Sequence, residues 1–344
     1  MTTEKPQRRK RYSGKNPRHF SEKYKEQDSE RYSVDVAKVL ASGKTPAGTH
    51  RPVMVREVME ALAPRAGELA VDCTIGYGGH AVALLPALQP GGRLIGLDVD
   101  SIELPKTEAR LRKLGFGPDV FTAHRANYAG LAKTLPEPAD VILADLGLSS
   151  MQMDNPARGF TYKHDGPLDL RMNPQRGKSA SALLATLDGP SLAGLLIENA
   201  DEPDADRLAQ AILRTSVSTT TQLATVIFRA GGDEDTVRRV FQALRIAVND
   251  EFGALEAFLR SLPLCLKAGG RVAILTFHSG EDRRVKKSFQ SGERNGLYSR
   301  IANEVVRAGS EELRANPRSR SANLRWARRS ATPSTPPLGI PHDR

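Results

Sequence analysis

Three aspartates, each near the end of a short apolar run, are the residues whose types and spacing best suit chemistry at one shared rim. Asp72 closes ELAVDC, Asp98 lies in GGRLIGLDVD, and Asp145 closes ADVILAD. The stretch CTIGYGGHAV (73–82) follows the first of them. It places Gly76, Gly78 and Gly79 in a tight turn with His80 directly after. Such a turn needs glycine where backbone meets a ligand or takes positive φ. Its glycines run G-x-G-G, not G-x-G-x-x-G, and G-x-x-x-x-G-K-[ST] is absent, so no lysine in the turn cradles a phosphate. Asp98, at the end of the second strand, stands where an acid accepts hydrogen bonds from a ribose diol. S-adenosylmethionine and NAD both offer that diol. A pyrophosphate is poorly served by carboxylates, whereas a sulfonium with an amino-acid end suits three of them. The spacing favours S-adenosylmethionine and leaves NAD or another ligand as alternatives. Each acid taken alone also fits a helix cap.

Methyl transfer from a sulfonium needs an in-line nucleophile and an acceptor that can lose a proton. A covalent route through a pyrimidine carbon calls for a cysteine. Cys73 lies within the glycine loop and Cys265 in an apolar helix, so direct attack by a substrate nitrogen or oxygen is favoured. Asp145 is the carboxylate best placed to hold the N–H of an exocyclic amine, with a supporting cofactor contact as its other reading. In TFHSGEDRRVKK, His278 and Ser279 fall at a strand end and face the same rim. His278 fits orienting a base or relaying a proton, or a purely structural place. Arg283 and Lys286 belong to a cluster suited either to phosphates or to a solvated helix face. Arg239, Arg245 and Asn249, in RRVFQALRIAVNDEF, fit either RNA contact or internal ion pairing.

The elements that must carry these residues alternate. VMVREVMEAL has helical spacing, ELAVDC is a strand, HAVALLPAL opens a helix and GGRLIGLDVD holds a strand. SIELPKTEARLRKLG reads as a helix interrupted at Pro105, DVFTAH (119–124) as a strand and ADVILADLGLSS (139–150) as a strand. Units of this kind mean βαβ repeats and a parallel sheet. The alternation breaks at 151–176, rich in Pro, Gly and Asp, and 178–246 reads as helical throughout, an insert between strands. EFGALEAFLRSLPLCLKAGG is a helix, RVAILTFHS (271–279) a strand, and SANLRWARRS an edge strand. The domain boundaries expected are a basic extension 1–48, a cofactor-binding domain 49–153 with 247–330, a helical insert 154–246 and a loose tail 331–344.

The formal net charge is +10 and the hydrophobic fraction 39% over 344 residues. The balance points to a polyanionic partner. The six arginines of 314–329, with no acid among them, place positive charge near one end. No 18-residue apolar run and no secretory leader is found, so no membrane association is expected. Two cysteines fit a reducing cytoplasm and exclude a disulfide framework or a cysteine-based zinc site; no metal is expected.

Six blocks then carry a resemblance. TIGYGGH (74–80), ADLGLSSMQMDNPARGF (144–160), DGPLDLRM (165–172), VFQALRIAVNDE (240–251), GGRVAILTFHSGEDRRVK (269–286) and NPRSRSANLR (316–325) occur in the order of a known family. The chain resembles the MraW, or small-subunit rRNA methyltransferase H, family. The resemblance implies an α/β, class I methyltransferase (Rossmann-like) parallel sheet with an inserted all-helical domain. It implies N4-methylation of a decoding-region cytosine in 16S rRNA, in the small ribosomal subunit, with S-adenosylmethionine as methyl donor. It implies cofactor contacts from Gly78, Gly79, His80, Asp98, Tyr128, Asp145 and Gln152, beside the Asp72 and Gly76 already singled out. Arg171, in DGPLDLRM, joins the candidate substrate contacts. The chain departs from the family at Cys73-Thr74-Ile75, at Gly280 where leucine is usual, and at the acidic NADEPDADRLAQAI (199–212). A methyltransferase for another RNA site, or a non-catalytic RNA-binding assembly factor, is the alternative. Monomer and homodimer stay open.

Overall fold

A computed structural model describes residues 52–331; the basic extension 1–48 and the tail from 332 onward lie outside the described residues. Within them, α1 (Val55–Leu62) leads into β1 (Leu69–Asp72), α2 (Gly79–Ala87), β2 (Arg93–Asp98), α3 (Glu103–Lys113) and β3 (Phe121–Arg125). A short α4 (Leu131–Thr134) precedes β4 (Ala139–Asp145), then α5 (Ser150–Asp154). Five helices follow: α6 (Ala180–Leu184), α7 (Gly189–Ala200), α8 (Ala205–Leu213), α9 (Thr220–Arg229) and α10 (Glu234–Asn249). The chain returns through α11 (Glu251–Cys265) to β5 (Leu266–Thr276), α12 (Ser279–Arg294), β6 (Tyr298–Ile301), α13 (Ser310–Ala315) and β7 (Asn323–Arg329).

The strands form one sheet, ordered β3-β2-β1-β4-β5-β7-β6. Pairing is parallel from β3 through β5, and β7 runs antiparallel to both β5 and β6. β1 is buried along its whole length and β4 nearly so, as strands covered on both faces must be. One face packs against Leu255, Phe258 and Leu262 of α11 with Val285 and Phe289 of α12. The other packs against Val58 and Leu62 of α1, Leu84 and Leu85 of α2 and Leu111 of α3. Helices α6–α10 close over a separate apolar core, with Leu196, Leu208, Leu223, Ile227, Val240 and Leu244 at its centre. β1 pairs with β2 on one side and β4 on the other. The crossovers therefore leave in opposite directions, and a crevice opens at the carboxyl ends of these strands.

Three elements differ from the sequence reading. α3 is unbroken, because Pro105 sits in its first turn, where the missing N–H has no intrahelical partner to lose. The helix before β5 stops at Cys265 and the strand begins at Leu266, so Lys267–Gly270 extend the strand rather than the helix. SANLRWARRS gives an inner strand, not an edge; the edge is β6, whose four residues are too short for a periodic signal. Among the described residues, no helix is long and apolar enough to cross a membrane.

The glycine loop is anchored from below. Ile75 is buried, its N–H bonds the carbonyl of Leu97, and its side chain fills the space over Gly96 of β2. A Cβ at Gly96 would lie 2.3 Å from Ile75 Cδ1 and 3.2 Å from the Phe121 ring. Gly96→Val is expected to lower unfolding free energy by about 1–3 kcal/mol through overpacking, read by urea unfolding, and to loosen the loop above it.

Candidate functional site

The loop after β1 is built by backbone geometry. Gly76 and Gly78 have φ of 49° and 75°. A Cβ on Gly78 would come within 2.8 Å of the Arg110 guanidinium and 3.2 Å of Thr107. The Thr107 hydroxyl donates to the Gly76 carbonyl and ties the loop to α3. Asp98 receives the Gly76 N–H at 2.9 Å and the Asp100 N–H at 2.8 Å. Its carboxyl is pushed up to about 6 by burial, against those two donors. Asp72 lies sealed under the loop, 1% exposed, and accepts from Thr74 N–H at 3.1 Å. Burial pushes it up to about 7, opposed by His80.

Asp145 ends β4 beside them. Its N–H donates to the Thr74 hydroxyl at 2.6 Å, its side chain is 26% exposed, and Oδ1 is buried with no hydrogen-bond partner. Burial, reinforced by the charge of Glu281, pushes its carboxyl up to about 7. His80 Nε2 meets the Val53 carbonyl at 3.0 Å, so Nε2 carries the proton and Nδ1 faces Asp145 Oδ2 at 3.6 Å. Burial holds the His80 pKa below its ordinary value. Two raised carboxyls at one rim, Asp98 and Asp145, the latter with an unpartnered oxygen, and a third, Asp72, sealed beneath them, fit a cationic ligand that carries a diol and an ammonium group.

Gln152 is committed at both ends. Its Oε1 accepts from Ser149 N–H at 3.0 Å in a capping box, and its Nε2 donates to Asp100 Oδ2 at 2.8 Å. Asp100, which the sequence reading passed over, is a buried hub. Its other oxygen receives the N–H groups of Ile102 and Glu103 at the start of α3, and Arg158 donates to Oδ2 at 2.8 Å. Arg158 also donates to the carbonyls of Arg171 and Met172. The only hint in sequence was an arginine in the Pro/Gly-rich NPARGF, two strands away from its partner.

The candidate substrate residues divide. Asn249 clamps the DLRM segment: it donates to the Leu170 carbonyl at 2.7 Å and accepts from Met172 N–H at 2.7 Å. This holds Leu170 at φ 62°, a strained conformation for leucine. Arg171 pairs with Asp169 through two hydrogen bonds. Arg245 is paired through Nε and Nη2 to Glu251, at 2.8 and 2.9 Å, and Arg239 is paired at 2.6 Å to the buried Glu202. For these two the structure provides the internal ion pairs. Arg283 and Lys286 are exposed on α12, with Arg283 3.4 Å from Asp201 of the acidic segment. Of that segment, Glu202 is turned inward onto Arg239, while Asp201 and Asp204 stay exposed.

At the end of β5, His278 precedes α12 and Ser279 begins it, exposed. His278 Nε2 lies 3.3 Å from Glu281 Oε1. Phe252 and His278 stack at 5.8 Å, and Arg284 lies 3.6 Å over the Phe252 ring. A Cβ at Gly280 would meet Phe252 at 2.7 Å, so the glycine makes room for this stack. Tyr128 packs edge-on against Phe258 at 5.4 Å, and its hydroxyl is raised by burial and by Glu251 and Glu281. Glu251, His278 and Glu281 bring donor atoms within 4.8 Å of one another. Both Glu251 oxygens already accept from Arg245, so the trio is an ion-pair network and not a cation site. A cavity of ≈ 370 Å³ beside it is lined by Asn199, Gln242, Ser279, Gly280, Arg283 and Lys287.

This sheet with its acid-rimmed crevice defines a class I, S-adenosylmethionine-dependent methyltransferase. The MraW methylase family model matches residues 47–330, and the chain belongs to that family. It is 49% identical over 341 residues to the ribosomal RNA small subunit methyltransferase H 2 of Alkaliphilus metalliredigens, covering 94% of this chain and 98% of that one. It is 46% identical to the ribosomal RNA small subunit methyltransferase H 1 of Lachnoclostridium phytofermentans, over 93% and 92% of the two chains. A solved structure of a putative rRNA methylase from Clostridium thermocellum aligns with a TM-score of 0.41 at 12% identity, over 82% of this chain and 99% of that one.

Two outcomes follow from the geometry. Asp100→Ala strands the buried Arg158 charge and is expected to cost about 3–5 kcal/mol in denaturant unfolding. Asp145 has a folded pKa near 7, above the value of about 4 for an unfolded aspartate. Between those values the folded state binds the extra proton, so this group's contribution to stability falls as pH rises from about 4 through 7. Ligand-free Asp145→Asn is therefore expected to match wild type in thermal unfolding near pH 4 and to exceed it by pH 8.

Proposed function

We propose that this chain methylates the exocyclic N4 of a decoding-region cytosine in 16S rRNA, acting on the small ribosomal subunit. The observation that carries the reading is Asp145: a rim carboxylate with a raised pKa and an unpartnered oxygen, at the end of the strand beside the cofactor loop. The relatives' names supply the substrate class.

S-adenosylmethionine supplies the methyl group as a sulfonium, whose sulfur keeps the bonding pair when the methyl carbon goes to N4. The chain's residues do the rest. Gly76, Gly78 and Gly79 bring backbone close to the nucleoside, and Asp98 takes the ribose diol. Asp72, Tyr128 and Gln152 shape the floor, wall and edge of the crevice, and His80 packs beside Asp145. Asp145 accepts an N4 hydrogen, so the amine nitrogen pyramidalises and its lone pair leaves conjugation with the ring. One N4 proton passes to Asp145 as the new bond forms, and water takes it afterwards. His278 and Ser279 border the base, Arg283 and Lys286 meet phosphates, and Arg171, Asn249, Arg245 and Arg239 hold the surfaces of 154–246 that receive the RNA.

The test is methyl transfer to small subunits that lack the modification, followed by nucleoside mass spectrometry. N4-methylcytidine is expected, and Asp145→Ala should bind S-adenosylmethionine in calorimetry while losing at least about 100-fold in turnover. A methyl group on a different nucleoside would assign another RNA site. Absence of cofactor binding by the wild type would leave the assembly-factor reading.

A further inference from the structure

Glu281 stands outside the roles above, yet it is among the most enclosed charged groups of the rim. It is 3% exposed, at the first turn of α12, with Oε2 accepting from Phe277 N–H at 2.8 Å and Oε1 facing His278. Phe277 lies two residues, about 7 Å, beyond Leu275, and Leu275 is the register partner of Asp145 across the β4–β5 pair. The turn to which this buried carboxylate is bonded therefore lies beside the end of β4. We infer that Glu281 is a positioning residue: it pins the β5–α12 turn and keeps a fixed negative charge toward Asp145, which makes Asp145 the stronger proton acceptor for N4. The inference rests on the reading of Asp145 given above.

The groups around the two carboxyls support it. Asp145 faces His80 from α2, Asp72 from β1 and Glu281 from α12. His80, with its proton on Nε2 and its pKa lowered by burial, offers Asp145 no positive charge. Glu281 is raised by burial, but its contacts with His278, the Arg245 charge and Phe277 N–H outweigh this and keep it ionised. Arg245 is already shared with Glu251, and Tyr128 is uncharged. Glu281 is therefore the anion whose charge is secured before substrate arrives, and Asp145 is the one left to titrate. A base whose pKa approaches the working pH is the strongest that is still largely ionised there. The step itself moves one proton from N4 to an Asp145 oxygen, with the N–H pair remaining on nitrogen.

Glu281→Gln keeps an acceptor for Phe277 N–H and removes the charge. Carbon-13 NMR of labelled aspartate carboxyls, with the Asp145 signal assigned from Asp145→Asn, reads the coupling in full-length protein without substrate. The Asp145 midpoint is expected to fall by at least about half a pH unit, and the acid limb of kcat on small subunits to move the same way. Glu281→Asp retains the charge and should hold the midpoint near wild type, which keeps the question answerable if Glu281→Gln is unstable. An unmoved midpoint in Glu281→Gln, whatever the loss of activity or Tm, overturns the inference, as does an equal shift in Glu281→Asp. A shifted midpoint with an unshifted kcat profile also overturns it, by showing that Asp145 does not take the proton; the fault would then lie in the catalytic reading and not in the coupling.

Discussion

The carboxylate of Asp100 is where the two halves of this molecule are fastened. It is almost fully enclosed, and it receives the start of α3, the amide of Gln152 and the guanidinium of Arg158. Arg158 passes the connection to the carbonyls of Arg171 and Met172, and Asn249 takes it from there to the end of α10. Arg245, one turn back, reaches Glu251, which stands against His278 and Glu281 at the end of β5. Phe277, bonded to Glu281, is two residues past the partner of Asp145, and Asp145 leans on Thr74 in the glycine loop. The loop returns through Gly76 and Asp98 to Asp100. Polar contacts, joined by short runs of backbone, make a circuit around the crevice.

Such a circuit is a poor source of stability. Buried ion pairs cost much of their attraction in desolvation, and replacing them by apolar groups is often neutral or better. What it fixes is position. Methyl transfer tolerates little error in distance or angle, and the groups at the rim of the crevice come from β1, β2, β4 and β5 and from helices far apart in sequence. The apolar cores hold the sheet and the helices as bodies; the circuit sets how their edges meet. The rim acids work against stability, because each is held partly protonated where water would ionise it.

Much of this was legible in sequence because it is local. The glycine turn, the aspartates at strand ends and the switch from alternating to helical patterning all depend on neighbours within a few residues. So does Asp145, whose position at the end of ADVILAD needs only the strand to be recognised. Asp100 and Arg158 were not legible, since a charged residue in a polar stretch gives no sign that it is buried until a distant partner is known. Arg239 and Arg245 show the same limit: an arginine bound for phosphate and one bound for a glutamate look alike in a helix. The edge strand β6 was missed because YSRI carries too few residues for a period, and its place comes from pairing with β7. Gly280 read as a departure from the family, and only the Phe252 ring in the space above it explains the glycine.

The order of the strands along the chain has a temporal consequence. β1 through β4 are contiguous, whereas β5 reaches β4 only after about 120 further residues. Closing so long a loop carries an entropic cost that non-local pairing must overcome late. On the ribosome, the four strands that bear the glycine loop and the three rim aspartates emerge first. The helices with their own core follow, and β5, β7 and β6 complete the sheet last. Until residue 276 has been made and β5 has docked, Asp145 has no neighbour on its far side. The nascent chain therefore passes through a stage that carries the glycine loop with an open sheet edge at β4.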